Sequence, residues 1–133
     1  MERDSLLTRL HELLEGRPVE LALLFGSRAT GRASPDSDVD LAVIAPGEDL
    51  LQLASDLSAA LGLEVEVVSL DDPPYPLLKR IVREGTVVSE GTRGAEARWR
   101  TRSLLILDTD RAWYARMRDS YLERVAGGAG THG

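Results

Sequence analysis

The feature that most restricts this chain is a hydrophobic period that keeps changing: helical spacing, a short apolar run, a polar loop, a second apolar run, helical spacing again, then strict alternation. In Ser5 to Glu15, residues Leu6, Leu7, Leu10, Leu13 and Leu14 fall at helical spacing, with Asp4 as cap and Gly16 as stop. Val19 to Phe25 is almost wholly apolar and ends at Gly26-Ser27, which suits a buried strand. Arg28 to Ser37 is rich in Gly, Ser, Pro and Thr and reads as a loop with room for one helical turn. Asp38 to Ala45 alternates at first and then turns apolar, as a strand does when only its first residues reach a polar site, and Pro46-Gly47 ends it. A helical period returns from Glu48 to Leu61 and closes at Gly62. Leu63 to Leu70 alternates, with Glu64 and Glu66 on one face and Val65 and Val67 on the other. Pro73, Pro74 and Pro76 break the chain before a helix at about Leu77 to Glu84, and Thr86 to Ser89 adds a short edge strand. Helices and strands in alternation define an α/β domain.

With 133 residues the chain fits one domain. Its expected extent is residues 1–125, closing with a helical segment over about 95–125 and a disordered Gly-rich tail over 126–133. An apolar fraction of 43% beside 29% charged is that of a folded globular chain. No window is long and apolar enough for a membrane span, and Met1-Glu2-Arg3-Asp4 is too polar and acidic to open a signal peptide, so the cytoplasm is the expected location.

Cysteine is absent and the two histidines, His11 and His132, are far apart, which excludes disulfides, thiolate nucleophiles and thiolate zinc sites. Any metal must be held mainly by oxygen. A formal charge of −6 argues against broad nucleic-acid binding. The charge is uneven: residues 1–90 carry 8 basic and 17 acidic side chains, and residues 91–133 carry 8 and 5.

Three features carry chemistry. Gly26-Ser27 closes the first strand, Asp38-x-Asp40 opens the second, and Glu64 and Glu66 lie on the third. Side chains at i and i+2 share a strand face, so Asp38 and Asp40 point the same way about 6.6 Å apart along the backbone. Two carboxylates at about 5 Å repel by roughly 3 kcal/mol at an effective dielectric of 20, so the group favours cations. Oxygen ligands suit Mg²⁺ or Mn²⁺, which bind a few carboxylates together with substrate phosphates and serve phosphoryl or nucleotidyl transfer. Gly26 allows close backbone approach to a phosphate, and Ser27 adds a hydroxyl and an amide. Arg28, and with it Arg32, is a candidate for neutralising the outer phosphates.

The run Leu24-Phe25-Gly26-Ser27-Arg28-Ala29-Thr30-Gly31, followed by Ser34-Pro35-Asp36-Ser37-Asp38-Val39-Asp40-Leu41, resembles the signature of minimal nucleotidyltransferases of the DNA polymerase β superfamily. The resemblance covers roughly residues 20–90. It implies a palm-like fold, a small mixed sheet flanked by helices, and Mg²⁺-dependent transfer of a nucleoside monophosphate from a triphosphate such as ATP. Many such proteins are antitoxins paired with small all-helical HEPN ribonuclease toxins, and some add AMP to a toxin tyrosine. Carried over by position, Asp38 and Asp40 are the metal ligands, Gly26 and Ser27 the phosphate cradle, and Glu66 the third acid. There this chain departs from the usual pattern: Val65-Glu66-Val67-Val68 has Glu where the family generally has Asp, so the carboxylate sits one methylene further out.

The resulting expectation is an antitoxin that moves AMP from ATP to a hydroxyl of a HEPN-type partner, with Asp38, Asp40 and Glu66 as catalytic and metal residues and Gly26, Ser27 and Arg28 binding the nucleotide. The rival is a nucleotide-binding module that neutralises its partner by covering it. Several residues have two readings at this level. Arg28 is either a phosphate ligand or a partner of Asp36; Ser37 either orients the aspartates or caps a turn; Glu64 shares the face of Glu66. His11 reads as a surface or boundary residue, and the stripe of Trp99, Trp113, Met117 and Tyr121 as core or partner interface rather than a base-stacking platform.

Overall fold

A computed structural model of the chain describes residues 1–109 together with 115, 116 and 118. The elements follow in the order α1 (Arg3–Leu14), β1 (Leu21–Phe25), α2 (Ser27–Thr30), β2 (Val39–Ile44), α3 (Leu50–Leu61), β3 (Val65–Ser69), α4 (Tyr75–Glu84) and β4 (Thr86–Glu90), and a helix over residues 95–109, α5, comes after them. The strands form one sheet in the order β3-β2-β1-β4. β1 runs antiparallel to both β2 and β4, and β2 runs parallel to β3 with α3 as the crossover. The sheet is therefore mixed, with β4 at an edge.

Its two faces carry separate cores. On one, Leu6, Leu10 and Leu14 of α1 and Leu53 and Leu57 of α3 pack on Ala22, Leu24, Val39, Leu41, Val43 and Val65. On the other, Leu78 and Ile81 of α4 and Ala95 and Trp99 of α5 pack on Leu21, Leu23, Phe25, Ala42 and Ile44. Every residue of β1 is buried because it is central and covered on both faces, which explains its unbroken apolar run. α5 shows Ala95, Trp99 and Ser103 as buried residues, one per turn, while Leu104, Leu105 and Ile106 are exposed. Trp99 is thus core. Trp113, Met117, Tyr121 and the expected tail over 126–133 lie outside the described residues.

Local chemistry sets the boundaries. α3 begins at Asp49, whose carboxylate accepts the Leu51 and Gln52 amides at 3.1 and 3.2 Å, and ends at Gly62 in the left-handed conformation. Two expected boundaries shift. Asp4 lies inside the first turn of α1, after an N-cap at Glu2 that makes no side-chain capping bond. α4 begins at Tyr75 and contains Pro76, because a proline in the first turn removes an amide that has no helical acceptor in any case. His11 donates from Nδ1 to the Val88 carbonyl, 2.9 Å away, joining α1 to β4 as a boundary residue. No helix among the described residues is long and apolar enough to cross a membrane.

Candidate active site

The site lies at one end of the sheet, where β1 finishes and β2 and β3 begin. Phe25 is the register partner of Asp40, and Asp40 is the register partner of Glu66. Directly opposed residues share a sheet face, so Phe25, Asp40 and Glu66 form one row across three strands, on the face that α4 covers. Asp38 precedes β2 by one residue and is exposed, as is Glu66, whereas the Asp40 side chain is only 20% exposed. Glu64 precedes β3; its carbonyl accepts the Val39 amide at 2.8 Å, and its side chain is exposed.

Gly26 follows β1 with φ 79°, a backbone that L side chains rarely adopt. A Cβ there would collide with Asp40 Oδ2. The turn leads into the four-residue α2, where the Ala29 and Thr30 amides return to the Gly26 carbonyl at 3.1 and 3.2 Å. The Ser27 and Arg28 amides head that turn with no intrahelical acceptor, as the first amides of any helix do. Gly26-Ser27 and the acid row are thereby brought together.

Arg28 points elsewhere. It is 4% exposed, and its guanidinium donates from Nε to the Ser37 carbonyl at 2.8 Å and from Nη2 to the Pro35 carbonyl at 3.3 Å. Ser37 closes the same loop, its hydroxyl accepting the Ser34 amide at 2.8 Å, so of its two readings it takes the turn-capping one. Arg28 braces the loop that delivers Asp38, in place of a contact with the Asp36 side chain.

The family model for polymerase beta, nucleotidyltransferase, matches residues 8–93, which include all four strands and every site residue named above. The chain belongs to the polymerase beta nucleotidyltransferase family. Among solved structures, a toxin–antitoxin complex with AMP-PNP has a chain that superposes with a TM-score of 0.70 at 22% identity, over 92% of this chain and 99% of that one. A chain of the MntA–HepT toxin–antitoxin complex gives 0.63 at 21%, over 90% and 97%. So does a chain from the complex of a tri-AMPylated Shewanella oneidensis HEPN toxin with its MNT antitoxin, with 0.63 at 21% over 90% and 96%. These likenesses establish a shared fold. No curated protein sequence gives a significant match.

In this nucleotidyltransferase the electrostatics of the acid row centre on Asp40. Its pKa is raised, first by burial of the carboxyl; Arg80 opposes the rise, and the charges of Glu66, Asp38 and Glu84 add to it. Burial first, and three neighbouring carboxylates after it, make the ionised form costly, an arrangement that a divalent cation would relieve. Among the described residues no three His, Asp or Glu side chains stand close enough to hold a metal by themselves. An all-oxygen set of one or two carboxylates completed by substrate phosphates is the coordination Mg²⁺ favours over an all-protein cage, so Asp38 and Asp40 fit it.

Two residues of the site escape a reading of motifs, Arg80 and Glu84. Both come from α4, and Glu84 is 9% exposed with Oε2 accepting the Gly26 amide at 3.0 Å. The one signal in the sequence is an Arg and a Glu at i and i+4 in the last turn before Gly85, which is equally the mark of a surface ion pair.

Proposed function

We propose that this nucleotidyltransferase is an antitoxin that transfers AMP from ATP to a hydroxyl, a tyrosine in the first instance, of a small helical HEPN-type toxin, in the cytoplasm. The observation that carries the reading is the Phe25, Asp40, Glu66 row set directly against the Gly26-Ser27 turn. Family membership supplies the reaction class, and the shared fold with antitoxin chains supplies the choice of partner.

Asp38 and Asp40 are the residues that would hold Mg²⁺, with Glu66 beside them. The cation supplies neutralisation of the triphosphate and polarisation of the reacting oxygens when bound. The Gly26-Ser27 turn holds the phosphate chain through the Ser27 hydroxyl and the Ser27 and Arg28 amides, which have no acceptor within α2. Glu66 takes the proton of the acceptor hydroxyl as its oxygen attacks the α-phosphorus. The bond from that phosphorus to the oxygen bridging to the β-phosphate breaks, and pyrophosphate leaves with the electron pair. The AMP phosphodiester remains on the acceptor.

The test is incubation of the purified protein with Mg²⁺, α-phosphate-labelled ATP and its host extract, followed by gel and mass spectrometry. Label on a discrete small helical protein, absent with Asp38→Asn plus Asp40→Asn, supports the reading; unchanged labelling with that double variant overturns the site. A second reading, neutralisation by binding alone, is favoured by the longer Glu66 side chain. It predicts that the double variant protects against the toxin as well as the native chain does.

A further inference from the structure

α4 brings an arginine and a glutamate into the site, and the reaction as written uses neither. The Glu84 side chain is only 9% exposed, and it is held by four groups. Its Oε2 accepts the Gly26 amide at 3.0 Å and Arg80 Nε at 3.2 Å, while Oε1 faces Arg32 at 3.6 Å and Arg83 at 4.0 Å. With Nε engaged, the Arg80 guanidinium lies over the Phe25 ring, 5.4 Å from its centroid. Its Nη2 stands 4.0 Å from Asp40 Oδ2 and 3.2 Å from the place a Cβ would take on Gly26. The 4.0 Å separation from Asp40 exceeds a hydrogen bond, so that attraction does not use up the Nη donors.

A triphosphate held at Gly26-Ser27 lies beside a row of carboxylates and needs cationic contact besides the metal. Arg28 is buried and committed to two backbone carbonyls. Arg80 is 46% exposed, has its plane fixed at one edge by Glu84, and keeps its Nη edge toward the turn. A guanidinium pre-oriented in this way presents paired donors suited to phosphate oxygens. We propose that Arg80 is the side chain that receives the outer phosphates of the nucleotide, and that Glu84 is the positioning residue that holds both Arg80 and the Gly26 amide in place. The proposal rests on the nucleotidyl-transfer reading above and gives to Arg80 the part expected of Arg28.

The experiment is calorimetric titration of the full chain with a non-hydrolysable ATP analogue and with AMP, in Mg²⁺, for the native protein, Arg80→Gln, Arg80→Lys, Glu84→Gln and the Arg80→Gln/Glu84→Gln double variant. Arg80→Gln is expected to weaken the analogue about tenfold or more while leaving AMP binding unchanged. Arg80→Lys recovers part of the loss. Glu84→Gln keeps an oxygen for the Gly26 amide but removes the negative charge that fixes Arg80, so it weakens the analogue less, and the double variant binds no worse than Arg80→Gln alone. Native protein that binds the analogue, with Arg80→Gln binding it equally well, overturns the role of Arg80 and leaves the nucleotidyl-transfer reading standing. Additive losses in the double variant overturn the positioning role of Glu84. Native protein that fails to bind the analogue overturns the nucleotidyl-transfer reading and this proposal with it.

Discussion

The Asp40 carboxylate fills the space that any side chain at residue 26 would need: a Cβ built on Gly26 meets Asp40 Oδ2 and Cγ and then Arg80 Nη2. The turn and the acid that faces it are therefore packed too closely to admit a side chain between them. Gly26→Ala must either distort a backbone with φ 79° or displace Asp40. We expect a stability loss of about 1–3 kcal/mol in urea denaturation. Displacement of Asp40 should also lower nucleotidyl transfer about 100-fold, since misplacement on the ångström scale has that effect. Native-like transfer by the alanine variant would show that Asp40 is not held where the reaction needs it.

Asp40 illustrates a site residue that works against the fold. Its pKa is raised above the ordinary 3.8, by burial first, with Arg80 opposing and Glu66, Asp38 and Glu84 adding. Between 3.8 and the raised value, the folded protein holds a proton that the unfolded chain has released. Stability therefore falls as pH rises through that window. Asp40→Asn removes that loss, so its Tm should exceed that of the native protein at neutral pH. The difference should shrink as pH falls below the ordinary value, where both states are protonated. Transfer should drop by about 10³-fold or more, the loss expected when several kcal/mol of metal-assisted stabilisation is removed. A Tm lower than native at neutral pH would contradict the electrostatic account.

Arg28 should behave in the opposite way to Arg80. Its two bonds to the Ser37 and Pro35 carbonyls are made within a residue only 4% exposed. Arg28→Ala leaves both carbonyls without their charged donor and should cost about 1.5–3 kcal/mol by denaturant unfolding. Arg28→Lys should rescue little, because a point ammonium cannot span two carbonyls as a guanidinium does. Affinity for an ATP analogue, measured on the folded variant, should stay within about twofold of native, well short of the tenfold effect of a lost charged hydrogen bond. A tenfold loss there would return Arg28 to the phosphates.

These contrasts show what a sequence can reveal about such a site. The strands were legible because β1 is covered on both faces and therefore unbroken in its apolar run, while the start of β2 is open at the site and therefore alternates. The acid row was legible because period-two spacing and register are local or nearly so, Asp40 and Glu66 being joined by a single crossover. Gly26 bears its signal in its own backbone. The direction of Arg28 was not legible, because adjacency to Gly-Ser says nothing about which way a four-residue helix turns its side chains; here it turns this one into the loop. Arg80 and Glu84 stayed hidden for a different reason. Glu84 lies 58 residues from Gly26 and meets it only because α4 runs back across the sheet to end beside the turn.

Glu66 is the position where chemistry and register can be separated experimentally. Its backbone is fixed opposite Asp40 on the parallel neighbour strand, and its side chain is exposed. Glu66→Asp keeps the charge, leaves the core untouched and draws the carboxylate back one methylene toward the sheet. The fold should be unaffected to within about 0.5 kcal/mol, as for surface substitutions generally. If Glu66 accepts the hydroxyl proton, the aspartate variant should transfer AMP at the native rate or faster. Glu66→Gln, which cannot take a proton, should lose about 10²–10⁴-fold, the usual contribution of a general base. The two variants together discriminate. Abolished transfer in the aspartate variant would contradict the third-acid role, while equal and undiminished transfer in both would move the base elsewhere in the site and leave Glu66 as a charge that only helps to hold the cation.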